Sequence, residues 1–295
     1  MTIDELRWFL VLARTQNATR AAELLHITQP TLSRALQRLE RRVGVPLFDR
    51  RSQRLWLNAY GEVFLAHADR ALREIDRATD VIATLRAPQE GTLRLAFLHS
   101  LGTWLVPELL GDFGRLDPLV RFVLHQDSAD RVARSLCEDT ADLVLTSPRP
   151  ADPLVAWQPL LDEPLVLAVP ADHPVAGRTA VRLSEAADER FVAMQSEFGL
   201  RQTMDAMFRR RGLTPAVVLE SAEIATIHGL VASGLGVAVV PGGPHVTPPK
   251  DLVLVPLSDE DAFRTIGLAW HGDHVPALPA QRFRRFVVER FADSP

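Results

Sequence analysis

The chain of 295 residues has a single cysteine, Cys137. One thiol excludes any disulfide within the chain and fits a reducing compartment. No apolar run approaches the ~20 residues that a membrane-spanning helix requires. Met1-Thr2-Ile3-Asp4-Glu5 carries acids where a secretory signal would carry positive charge, so a cytoplasmic protein is expected. No internal repeat and no low-complexity tract is present. Familiar catalytic signatures are missing as well. Gly234-Leu235-Gly236 lacks the third glycine of a dinucleotide fingerprint and ends a helical stretch. Neither a Gly-x-Ser-x-Gly elbow nor a Walker loop occurs. His271-Gly272-Asp273-His274 reads as a loop without nearby Cys or further His, which favours an ordinary surface segment over a metal site. No enzyme, metal or resident cofactor is expected.

Lysine is nearly absent: Lys250 is the only one, and arginine carries the positive charge, as genome composition alone could dictate. The formal net charge of −4 looks wrong for a nucleic-acid binder until it is divided along the chain. Residues 1–60 hold ten arginines against five acids, +5; residues 61–87 come to −1, and the remainder to −8. A basic head on an acidic body is the footprint of a DNA-binding module joined to a separate domain. The hydrophobic content of 47% supplies real cores, and the length suggests two or three domains.

The head is organised around residues 21–40. Apolar residues at Ala22, Leu25 and Ile27, then at Leu32, Leu36 and Leu39, give two short helical stripes separated by a polar turn. Thr28 is placed to cap the second helix, and Pro30 falls in its first turn, where a missing N–H costs nothing. With the stripe inward, Gln29, Pro30, Thr31, Ser33, Arg34, Gln37 and Arg38 are left outside. These residue types read base edges and grip phosphates in a major groove. An ordinary surface αα-hairpin is the alternative for this stretch taken alone. Before it, Ile3, Leu6, Phe9, Leu10 and Ala13 repeat at helical spacing, and Asn17 can cap the next helix. After it, Gly44 is a helix stop. Two short apolar runs within residues 45–57 then flank a polar tip, which predicts a two-stranded wing with Arg50, Arg51 and Arg54 set to reach phosphates.

From Asn58 the pattern changes. Gly61, Leu65, Ala68, Leu72, Ile75, Thr79 and Ile82 follow heptad spacing, predicting one long helix over about residues 58–86 with a seam for a partner helix. Packing of that seam on its own domain is the alternative. Pro88-Gln89-Glu90-Gly91 then marks a linker. Beyond it, strand patterns at 92–97, 120–124, 143–145, 165–169, 191–194, 216–219, 237–240, 252–256 and 266–270 alternate with helical ones near 103–115, 129–138, 200–211, 222–233 and 279–292. Near-continuous apolar strands of this kind belong to an α/β sheet buried on both faces. The pattern restarts at 159–164 and again after Asp261, so the last strand and helix are expected to return to the first subdomain.

On Ala21-Ala22 with Leu25, Gln29-Pro30, Ser33, Leu39-Glu40, Gly44, Leu47-Phe48, Arg50 and Gly61-Glu62, the sequence resembles the LysR-type family of bacterial transcriptional regulators. The resemblance covers the whole chain and is strongest over residues 1–65. It implies an α/β protein with an N-terminal winged helix-turn-helix, a long dimerising linker helix, and a regulatory domain of two α/β subdomains like a periplasmic binding protein. The corresponding segments here are 1–57, 58–87, 91–161 with 266–295, and 162–265. It also implies a small effector in the cleft between subdomains, a double-stranded DNA operator, and assembly as a dimer or dimer of dimers; RNA polymerase is a further candidate partner. Ala18 replaces a usual bulky aromatic, Tyr60 a small residue, and Asn58 a threonine. The competing reading is a cytosolic small-molecule binding protein or enzyme whose basic N-terminal region serves only for interaction.

Cleft contacts are sought where a strand ends and a helix begins, because free N–H groups there hold small polar ligands. The stretches are 99–103, 126–128, 195–199 and 221–226. Each hydroxyl there, those of Ser128 and Ser221 included, also reads as a plain helix cap. The resemblance singles out Ser100, Ser128, Phe198 and Thr226; Thr103 lies in the first stretch, and Arg201, in the first turn of its helix, would supply charge. Asp127, Glu197 and Glu223 push the other way. The expected effector is a small polar organic molecule, with a carboxylate favoured. Cys137, within an amphipathic helix, reads as a packed hydrophobe rather than a thiol sensor.

Overall fold

A computed structural model describes residues 1–51, 54–86, 91–273 and 276–292, apart from the side chains at 50, 51, 54, 77, 80, 81 and 83–86. The chain divides into two compact units, Met1–Ala83 and Thr84–Pro295.

The first unit contains α1 (Ile3–Thr15), α2 (Ala18–Leu24), α3 (Gln29–Val43), a hairpin of β1 (Phe48–Arg51) and β2 (Arg54–Leu57), and most of α4 (Ala59–Arg86). Its helix starts are chemically specified. Thr2 and Glu5 form a reciprocal capping box on α1, and the Asn17 carboxamide oxygen accepts from the Thr19 and Arg20 N–H groups at the start of α2. Thr28 departs from expectation. It sits at the cap position of α3, but its hydroxyl lies 2.8 Å from the Thr31 hydroxyl and takes no backbone N–H.

The turn after α3 explains why its residues occur together. Gly44 closes the helix with φ +88°, a region that disfavours side chains. The Glu40 carboxylate then accepts the Leu47 N–H at 2.8 Å, and the Asn58 carboxamide donates to the Pro46 carbonyl while its oxygen caps Gly61. A Cβ on Gly61 would lie 2.2 Å from the Leu47 carbonyl oxygen, so the helix can approach this loop only through glycine. Beneath it, Phe9 meets Phe48 and Phe64 edge-on at 5.6 and 5.1 Å. Leu12, Leu32, Leu39 and Leu47 are fully buried beside them. Ala18 packs against this core in place of a larger ring.

The heptad seam of α4 splits in two. Leu65, Ala68 and Leu72 pack on the first unit's own core, whereas Ile75 and Ile82 are exposed. Ion pairs from Arg7 to Asp76 and from Arg14 to Asp69 fasten the same stretch to α1. The first half of the seam thus follows the own-domain alternative.

The second unit is α/β. Its elements are β3 (Gly91–Leu98), α5 (Leu105–Leu116), β4 (Val120–Asp127), α6 (Ala129–Cys137), β5 (Leu143–Thr146), β6 (Val155–Pro170), β7 (Arg190–Met194), α7 (Gly199–Arg210), β8 (Ala216–Ser221), α8 (Ile224–Ala232), β9 (Ala238–Pro241), β10 (Leu252–Pro256), β11 (Phe263–His271) and α9 (Leu278–Ala292). The main sheet runs in the order β10-β6-β11-β5-β3-β4, with β9 also on β6, and β7 pairs with β8 in parallel. The β3–β4 and β3–β5 pairs are parallel, while β6 and β11 run antiparallel to each other.

Two hydrophobic cores share this sheet. One gathers β3, β4, β5, α5, α6, α9 and the outer part of β11; the other gathers β7, α7, α8, β9, β10 and residues 165–169 of β6. β6 does not break at Pro159 and Pro164, where its pattern restarts. The strand continues and the core changes instead, with Leu160 in one core and Leu165 in the other. The ladder accommodates this with a register shift between Ile266 and Gly267. Gly267 is required there: an added Cβ would lie 2.4 Å from the Trp157 ring and 2.6 Å from the Gln158 carbonyl oxygen. Among the described residues, no helix is long and apolar enough to cross a membrane, and no group of three or more His, Cys, Asp or Glu is placed to hold a metal. His274 lies outside the described residues.

Candidate nucleic-acid interface and ligand cavity

The turn into α3 is tight because His26 adopts φ +53° and the Ile27 N–H returns to the Ala22 carbonyl. Leu32, Ala35, Leu36 and Leu39 then face the core, which rotates Gln29, Pro30, Arg34, Gln37 and Arg38 to solvent, with Thr31 and Ser33 half-buried at the flank. Two of these side chains are held along the helix. The Gln29 carboxamide donates to the Ser33 hydroxyl at 2.9 Å, and Arg34 Nε donates to the Pro30 carbonyl at 3.3 Å. Arg34 has no acidic partner among the described residues, so its charge is available to a ligand. Arg38 differs. Its Nε donates at 2.9 Å to Glu5, a buried carboxylate that Arg38 and the Thr2 N–H hold below the usual carboxylate range. Arg38 is therefore tied to α1 and only half available. The backbone of the wing is present as β1 and β2, but Ser52 and Gln53 lie outside the described residues, as do the side chains of Arg50, Arg51 and Arg54.

In the second unit a cavity of about 270 Å³ lies where the two cores meet, lined from β3, the turn after it, β6, β11, α7, α8 and the loop after β9. Ser100, Thr103 and Phe198 line it; Ser128, Arg201 and Thr226 do not. Ser128 is buried at the start of α6, its N–H taken by the Asp127 carboxylate, and its hydroxyl does not cap the helix. Thr226 is exposed on α8, away from the wall. Arg201 does lie in the first turn of α7, but its guanidinium turns to Asp205, Glu220 and the Met194 carbonyl. These two carboxylates hold its pKa above the usual value against the cost of burial. The cationic argument for a carboxylate ligand rested on Arg201, and it lapses with this geometry.

Three residues of the polar wall, Glu163, Arg264 and His245, were not singled out by sequence. Glu163 on β6 and Arg264 on β11 are register partners, both buried, with Arg264 Nε 2.5 Å from the Glu163 carboxylate. Arg264 also donates at 2.9 Å to the Ser100 hydroxyl. On the other side, the His245 ring lies 3.0 Å from Glu163 and stacks at 3.9 Å on Trp104. Trp104 packs on the first core, whereas His245 follows β9 of the second. This network thus joins the two halves across the cavity. Nearby, Gly199 allows α7 to approach Ser147, since a Cβ there would sit 2.2 Å from the Ser147 carbonyl oxygen. His228 is buried with its Nε2 unpartnered, and desolvation lowers its pKa, which keeps the ring neutral near pH 7. The one signal that could have pointed to the network is a Glu and an Arg inside otherwise apolar strands, since buried charges must be paired.

Cys137 lies half-buried against the first core and donates to the Asp152 carboxylate at 3.3 Å. Burial, then that acidic neighbour, pushes its thiol up to about 11. Neither Cys137 nor Asp152 lines the cavity.

Comparison with known proteins places both units. Residues 3–62 match the model for a bacterial regulatory helix-turn-helix protein of the lysR family, and residues 86–292 match the LysR substrate binding domain. The uncharacterized HTH-type transcriptional regulator YybE of Bacillus subtilis is 36% identical over 99% of this chain and 100% of its own length. The transcriptional dual regulator GltC of the same organism is 30% identical over 99% of this chain and 98% of its own. Among solved structures, a full-length OxyR variant from Pseudomonas aeruginosa gives a TM-score of 0.70 at 26% identity, covering 99% of this chain and 95% of that one. CbnR, solved with its target DNA, gives 0.78 at 22% identity, covering 98% and 99%, a likeness of fold.

Proposed function

The chain belongs to the LysR family of transcriptional regulators, and we propose that it binds a double-stranded operator through α3 and answers a small organic effector held in the cavity. The observation that carries the reading is the outer face of α3, polar and exposed, with Arg34 free of any acidic partner among the described residues. In this reading Gln29, Thr31, Ser33, Arg34 and Gln37 meet base edges, while Pro30 sets the entry angle. An arginine or glutamine in that position forms bidentate contacts worth ~1–3 kcal/mol of base discrimination. Arg38, Arg50, Arg51 and Arg54 grip phosphates, which position the protein but carry no sequence information. The exposed Ile75 and Ile82 support a second copy of the chain as partner, and a dimer, or dimer of dimers, would set two recognition helices on one operator. RNA polymerase is a further proposed partner.

The effector half of the reading rests on the cavity, whose walls belong to two cores joined by the continuous strands β6 and β11 and by one polar network. A ligand bridging those walls favours one degree of closure over another and so shifts the population of regulator states. Retention of the full chain on its promoter fragment and on an unrelated duplex, over a salt series, tests the DNA half. Operator preference with a steep negative salt slope is expected; equal, weak retention on both duplexes contradicts it. For the effector half, Ser100→Val and Ala225→Leu, both at the cavity wall, should abolish the effector-dependent change in footprint while unliganded operator binding persists.

A further inference from the structure

We propose that the cavity takes a small organic amine, cationic at neutral pH, carried on an apolar body. The inference rests on the reading above, that this cavity is the effector site. Its volume of about 270 Å³ admits a small organic molecule. Most of the wall is apolar, with Trp104, Met194, Phe198, Leu200 and Ile224 among its members.

The charged wall residues are Asp127, Glu163, Glu223 and Arg264. Glu163 and Arg264 neutralise each other, and the remaining reach of Arg264 is spent on the Ser100 hydroxyl. What is left is the negative charge of Glu223, at the start of α8 on the second core's side, and that of Asp127, at the end of β4 on the first's, which Arg131 offsets only in part from outside the wall. The Glu223 side chain has no partner among the described residues. Asp127 accepts from the Ser128 N–H and has His125 and Arg131 at 3.6 and 3.9 Å, neither of which lines the cavity.

These two acids also stand at the starts of α6 and α8, Asp127 taking the Ser128 N–H, so those two helix ends already carry a carboxylate; the start of α7, from Phe198 to Leu200, lines the cavity too and has no acid in its first turn. An incoming carboxylate would find no uncommitted cation among the described wall residues. Capturing Arg264 would leave Glu163 buried with His245 as its remaining partner. An ammonium group, by contrast, finds two carboxylates on the wall, Asp127 and Glu223, and beside them the neutral ring of His228 rather than a further cation. Phe198 adds an aromatic ring at the same wall, a favourable neighbour for a cation.

The test is calorimetric titration of the full chain with three probes of one shape: 2-phenylethylamine, 2-phenylethanol and 3-phenylpropionate. The amine should bind at least about tenfold more tightly than the carboxylate, a difference of ~1.4 kcal/mol, with the alcohol between them. In the Asp127→Asn/Glu223→Gln double variant the amine's affinity should fall to that of the alcohol. Tighter binding of 3-phenylpropionate, or equal binding of all three, overturns the charge assignment but leaves the cavity a small-molecule site. Failure of all three at millimolar concentration overturns this proposal and counts against the effector reading as well.

Discussion

The recognition helix and the ligand cavity are built in opposite ways. On α3 one stretch of 15 residues supplies both the buried anchors and the exposed polar face, and helical periodicity alone separates them. The cavity draws its wall from residues between Leu98 and Arg264, and its central pair, Glu163 with Arg264, is 101 residues apart in sequence. A site made by local periodicity can be read from the chain. One made by strand register cannot, because moving either strand by one residue turns its side chains to the other face.

The largest effect that would sharpen this contrast is expected at the buried pair. Arg264→Met should cost about 3–5 kcal/mol of second-unit stability in urea unfolding, because Glu163 is left buried without its cation. Adding Glu163→Leu should recover most of that loss. A cost below about 1 kcal/mol for the single variant would show that the pair is not desolvated as its burial implies.

On α3 the same kind of substitution should divide by face. Leu39→Ala, at a fully buried position, should lower first-unit stability by about 2–5 kcal/mol. Arg34→Ala, five positions earlier but outward, should leave stability within about 0.5 kcal/mol. Its operator affinity should nonetheless fall by about 1–3 kcal/mol in a gel-shift titration. Equal stability losses at both positions would break the division into faces.

A smaller effect concerns acid. Asp261, just before β11, is held at about 2, first by hydrogen bonding from Arg211 and then from Arg210, against burial. A depressed carboxylate contributes stability above its unfolded value, near 3.8, and loses it as pH falls through the folded value. The melting-temperature advantage of the wild type over Asp261→Asn should therefore be full above about pH 4 and vanish toward about pH 2. An advantage independent of pH would mean that packing, not charge, accounts for it. The smallest expected effect is at Cys137. With its thiol near 11 rather than 9, thiolate at pH 8 is about a hundredfold scarcer, and alkylation should be slower in proportion. Cys137→Ser should leave any regulatory response intact.

Much of the fold was legible for the reason that makes α3 legible. The helices of the first unit, the wing and the strands of the second follow from periodicity and from punctuation by Asn17, Gly44 and Asn58. At Pro159 the sequence misleads, because proline signals a break, whereas here the ladder shifts register and the strand continues. Site chemistry was legible only where the chain is locally sufficient. Arg201 was correctly placed in its helix turn, but Asp205 four residues on and Glu220 on the neighbouring strand claim its charge. Ser128 and Thr226 lie near the right loops, yet one is buried beneath α6 and the other faces solvent. The Thr28 hydroxyl, an apparent cap, prefers Thr31.

The most direct test of the central claim measures two quantities on the same two variants. Operator affinity and the thermal shift produced by 2-phenylethylamine are recorded for Arg34→Ala and for Ala225→Leu. The account predicts that Arg34→Ala loses operator affinity and keeps the thermal shift, while Ala225→Leu keeps unliganded operator affinity and loses the shift. If either variant loses both, with folding intact, the two functions do not reside in two separately built sites.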